Sequence, residues 1–104
     1  SYLYAADLAV WLWTLLLEGE NARPYNVGSP DAVSISDLAR AVVANTSPET
    51  RIVINGASGA SVYVPSVERA RLELNLRPLI SLEEGIRRMY AWNVHSKIGE
   101  MARV

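Results

Sequence analysis

Ser34 is the side chain in this sequence best placed to meet a ligand. It stands just ahead of Ile35, Leu38, Ala39 and Val42, which recur at helical spacing, so it occupies the N-cap position of a predicted helix. A hydroxyl there sits beside the free N–H groups of the helix start, a combination that suits an anion. The simpler role is structural: a plain N-cap, with Asp37 reaching back in a shortened capping box. The other chemistry-bearing residues assemble into nothing. His95 is the only histidine, lies near the C-terminus without a serine or cysteine partner, and reads as a solvated side chain. Glu83 and Glu84 belong to the capping sequence Ser81-Leu-Glu-Glu84 rather than to a glycosidase acid pair. Gly56 and Gly59 lack the following lysine and the strand-to-helix setting of a phosphate loop. With no cysteine, disulfides and thiolate metal sites are excluded, and no other metal-ligand spacing is present. The residues by themselves therefore supply no catalytic, cofactor-binding or metal-binding set.

The elements that must position Ser34 can be read in order. Ser1 to Tyr4 look like a strand. A helix follows to about Glu18, with Asp7 in its first turn, where a negative charge suits the helix dipole, and Gly19 at its end. Glu20 to Pro24 form a polar loop. Tyr25 to Val43 read as strand, turn and helix: Tyr25 to Val27 are β-prone, Gly28-Ser-Pro-Asp31 is turn chemistry, and Ser34 opens the helix. Arg51 to Ile54 and Val62 to Val64 are further short strands, with the small-residue loop Asn55 to Ser61 between them. Ser66 is expected to cap a helix that buries Val67, Ala70 and Leu74 and leaves Glu68, Arg69, Arg71 and Glu73 solvated. Asn75 is its left-handed stop, and Pro78 prevents continuation. Ser81 opens a last helix with Leu82, Ile86, Met89 and Tyr90 facing inward. The expected fold is α+β, with four helices and three or four short strands.

A length of 104 residues points to one domain. Half of the residues are apolar, enough for a modest core. The net charge of −1 and the absence of a basic run argue against a nucleic acid or an acidic membrane as partner. Ala5 to Leu17 is apolar but too short to span a bilayer. It also lacks the basic segment and the cleavage site of a signal peptide. With the absence of cysteine, this leads us to expect a cytoplasmic location. The chain begins at Ser1 without a methionine and directly in a strand-like run, which we read as a fragment of a longer protein.

The first helix is apolar nearly all round. Leu8, Trp11, Leu12 and Leu15 make one stripe; Val10, Trp13 and Leu17 make another. Such a helix is normally buried on several sides, so one side should pack against a further domain or a second subunit. The tryptophans are expected to pack in a core rather than to stack on a ligand.

Five motifs come in a fixed order: Ser-Tyr-Leu-Tyr-Ala-Ala-Asp-Leu-Ala (1–9), Tyr-Asn-Val-Gly-Ser (25–29), Val-Ser-Ile-Ser-Asp-Leu-Ala (33–39), Tyr-Val-Pro-Ser-Val-Glu-Arg-Ala-Arg-Leu-Glu-Leu (63–74) and Leu-Glu-Glu-Gly-Ile-Arg-Arg (82–88). Together they resemble the C-terminal part of the extended short-chain dehydrogenases. Among these the chain is similar to the NAD-dependent nucleotide-sugar epimerase/dehydratase family, the dTDP-glucose 4,6-dehydratases and their relatives. The resemblance covers Ser1 to about Trp92. It implies a C-terminal nucleotide-sugar-binding domain over residues 1–93; beyond Trp92 the periodicity is lost, and the tail over 94–104 is left open between helical, frayed and disordered. It also implies that the N-terminal Rossmann domain, which holds NAD, is missing here.

In such enzymes hydride passes from sugar C4 to NAD, and elimination or inversion precedes its return. The glycine-rich fingerprint and the Tyr-x-x-x-Lys pair lie in the Rossmann domain; neither Tyr63 nor Tyr90 is followed by lysine at that spacing. The resemblance thus implies a parent enzyme acting on a nucleotide-sugar, and a segment that is inert alone and binds no NAD. It is shared by dehydratases, epimerases and reductases. It places Ser34 where a residue at the head of a helix approaches the nucleotide diphosphate. One family arginine would fall just before Ser1. A second belongs to an Arg-x-Gly-Asp-like loop, here Asn55 to Ser61 without arginine, which departs from the standard diphosphate grip; Arg51 is the nearest basic residue. The alternative is a non-catalytic α+β interaction or dimerisation module that uses the apolar first helix, with a homodimer as one outcome.

Overall fold

The computed structural model describes residues 1–56 and 61–103. It contains four helices in chain order: α1 (Ala5–Glu18), α2 (Ile35–Thr46), α3 (Glu68–Leu74) and α4 (Leu82–Met101). Among the described residues no strand is formed. The fold is therefore all-helical there, and the expected α+β architecture with three or four strands is corrected. Segments 2–4, 25–27, 51–54 and 62–64 carry the β-prone residues, and Tyr4 does have extended backbone angles. Strand propensity reports how well a side chain suits a pleated surface. A strand also needs a neighbour to exchange N–H···O=C bonds with, and these segments have none in a ladder.

The chain divides into two compact units. The first comprises Ser1–Val33 and Gly56–Ser81. Its core is Trp11, Val67, Ala70 and Leu76, with Leu3, Leu15, Tyr25, Val27 and Leu74 packed against it. Trp11 is 1% exposed, and its indole N–H has no hydrogen-bond partner, so its role is the expected one of filling the core. The α3 stripe is also as expected: Val67 and Ala70 are buried and Leu74 is partly so. Asn75 takes the left-handed conformation (φ 51°, ψ 29°) and the Leu76 N–H donates to the Ala70 carbonyl at 3.2 Å. The left-handed residue stops the helix as expected, and beyond it Leu76 enters the core.

At the other end of α3 the expected cap is displaced. Val67, not Ser66, is the N-cap residue, and no side chain caps the helix. Val67 is buried, and the helix starts one residue later than expected. Gly19 ends α1 with extended rather than left-handed angles. A Cβ at that position would collide with the Leu15 carbonyl.

The second unit comprises Ser34–Asn55 and Leu82–Val104, with α2 packed on α4. Arg87 donates through Nη1 to Asn45 Oδ1 at 3.0 Å, tying the two helices together. Leu82 and Ile86 are half-buried, but Met89 and Tyr90, expected to face inward, are exposed, as is every described residue from Arg87 onward. The lengths account for the exposed last turns of α4, though not for Met89 and Tyr90, which lie within about 12 Å of its start. Twelve residues of α2 span about 18 Å and twenty of α4 about 30 Å, so α2 can cover only part of its partner. Residues 94–101, placed in a tail by sequence, continue α4 as helix.

Candidate functional site

Ser34 has extended backbone angles (φ −72°, ψ 156°) and caps α2. Its Oγ accepts the Asp37 N–H at 3.0 Å and donates to Asp37 Oδ2 at 2.6 Å. The Ser36 hydroxyl lies 3.0 Å away, and Arg40 Nη1 donates to Asp37 Oδ1 at 2.7 Å. This is the capping arrangement expected from the spacing, made reciprocal between two side chains. The hydrogen bond from Ser34, and then the charge of Arg40, hold the Asp37 carboxyl below the usual carboxylate range. Asp37 is thus ionised at neutral pH and already offsets the positive end of α2. A hydroxyl has one proton to donate, and here Asp37 accepts it. An incoming anion would have to take that bond over and would meet the Asp37 carboxylate beside it.

The remaining sequence candidates stay apart from any common chemistry. Glu84 accepts from Arg88 Nε at 2.7 Å and from Arg87 Nη2 at 3.0 Å. These bonds, that of Arg88 first, lower its pKa, the reverse of what a general acid needs. His95, Tyr63 and Tyr90 are exposed, as is Arg51. Most of the loop Asn55 to Ser61, the place of the expected diphosphate grip, lies outside the described residues. Among the described residues no cluster of His, Cys, Asp or Glu could hold a metal ion.

Two polar arrangements escaped the sequence reading. Asp7 is 4% exposed. Its Oδ2 accepts the N–H groups of Leu79 (3.0 Å) and Ile80 (2.9 Å), so it staples the segment after α3 to the head of α1 rather than only facing its own dipole. A lone carboxylate in an otherwise apolar run was the available signal. Glu73, read as solvated, is gripped from a distance. Arg23 donates to it through Nε (2.8 Å) and Nη2, and the Tyr25 hydroxyl through one further bond (3.0 Å). Arg69, on the same helix, donates to the Pro24 carbonyl at 2.6 Å. Together these bonds clasp the loop after α1 to α3. Arg23 lies 50 residues from Glu73, and no local pattern encodes that pairing.

The chain is 33% identical over 91 residues, 86% of its length, to UDP-glucuronic acid decarboxylase 1 of Arabidopsis thaliana. It is 30% identical over 88 residues, 83% of its length, to UDP-glucuronic acid decarboxylase 5 of the same plant. A third relative, dTDP-D-glucose 4,6-dehydratase of Mus musculus, is 27% identical over 100 residues, 88% of this chain. This chain is homologous to a segment of the NAD-dependent epimerase/dehydratase enzymes. The resemblance drawn from the five motifs is thereby borne out. The chain spans 21%, 26% and 28% of the length of these three relatives. No family model matches it, and no solved structure matches it significantly. Among the described residues, no helix is long and apolar enough to cross a membrane.

Proposed function

We propose that this chain is the C-terminal, substrate-binding segment of an NAD-dependent nucleotide-sugar decarboxylase, dehydratase or epimerase, over residues 1–93, and that it is inert by itself. The observation that carries this reading is the match of most of the chain to two classes of nucleotide-sugar enzyme at once. The names of the more similar relatives make a UDP-sugar the first substrate to test.

NAD belongs to the rest of such an enzyme. The residues here do not fit it: the sequence has no Gly-x-x-Gly-x-x-Gly unit and no Tyr-x-x-x-Lys pair. Gly28 does not open a cradle either, because a Cβ there would meet Pro65 Cγ at 2.7 Å and Ser1 Oγ at 3.4 Å. No chemical step is therefore assigned to this chain. Its contribution is to help bind the sugar nucleotide, with Ser34 approaching the diphosphate from the head of α2.

The test is steady-state kinetics of the full-length protein with UDP-glucuronate and related UDP- and dTDP-sugars. Turnover with one of them is expected, and Ser34→Ala should raise KM several-fold with kcat little changed, as loss of uniform binding does. An unchanged KM would leave Ser34 as an N-cap only. Absence of turnover with any sugar nucleotide would overturn the enzyme reading.

A second reading has its own observation. Val10, Trp13, Leu16 and Leu17 of α1 are exposed, Trp13 by 64% and Leu17 by 75%, so α1 also suits a protein-interaction or dimerisation module. In the enzyme reading the same face packs on the Rossmann domain of the parent. A protein that lacks that domain upstream would favour the module.

A further inference from the structure

We draw no further inference here: the strongest candidate, the apolar stripe Tyr90, Val94, Ile98 and Met101 on the wholly exposed C-terminal half of α4, is an unpartnered helix face, and nothing in the structure shows what covers it.

Discussion

Asp7 and Glu73 take their roles from partners far along the chain, and each role can be tested. Asp7 satisfies two backbone N–H groups from near the end of its unit. Asp7→Ala leaves both without their acceptor and should cost about 2–4 kcal/mol. Asp7→Asn keeps a carbonyl acceptor and should cost less than half of that. Denaturant midpoints of the two variants check this, and equal midpoints would show the bonds to be incidental. Glu73 is held below the usual carboxylate range chiefly by the hydrogen bond from Arg23, which outweighs the opposing effect of desolvation, with a lesser contribution from the Tyr25 hydrogen bond. Its folded-state pKa is depressed, so its contribution is complete above the ordinary carboxylate pKa. The contribution is lost as pH falls through the depressed value. Glu73→Gln should therefore flatten the acid side of the stability profile while leaving the slope near neutrality unchanged. An identical acid limb in both proteins would mean that the clasp adds nothing, a common outcome for exposed pairs. The Ser34 cap was legible in the sequence because a cap is a matter of three residues. Asp7 and Glu73 were not, because their partners are set by the fold.

At the scale of elements, the same division separates helices from strands. All four helices were legible, since apolar spacing, caps and stops act within a few residues. Asn75 shows how well a stop can be read: it was expected in the left-handed region and lies there. The strands failed because their existence depends on a neighbour that propensity cannot supply. The inward face assigned to α4 failed for a related reason. Its apolar spacing continues past Ile86, but Met89 and Tyr90 are exposed, because spacing along one helix does not say where a partner packs. Asn75 supports a quantitative expectation. Replacement by glycine, which takes φ > 0 freely, should leave stability unchanged or raise it by a few tenths of a kcal/mol. Replacement by valine should cost ~1–2 kcal/mol through steric strain in the left-handed region. Thermal unfolding of both variants checks the order. If valine is tolerated as well as glycine, the stop is not what turns Leu76 into the core.

At the scale of the whole molecule, burial of α1 is incomplete. Trp11 is spent on the core while Val10, Trp13, Leu16 and Leu17 remain in contact with water. Large contiguous apolar surface on a small protein drives association, so the isolated chain should self-associate as its concentration rises. Leu16→Gln combined with Leu17→Lys retains good helix formers and removes two exposed apolar side chains without entering the core. Light scattering should show the doubly substituted chain as a monomer where the unsubstituted chain is heavier. The unfolding midpoint should be nearly the same in both. A monodisperse monomer from the unsubstituted chain at high concentration would sink the argument for an uncovered face. The same samples address inertness. The sequence holds no Gly-x-x-Gly-x-x-Gly unit to cradle a dinucleotide. Titration with NAD should release no saturable heat. Saturable binding would require a dinucleotide site on this chain and would place part of the chemistry here rather than in the remainder of the enzyme.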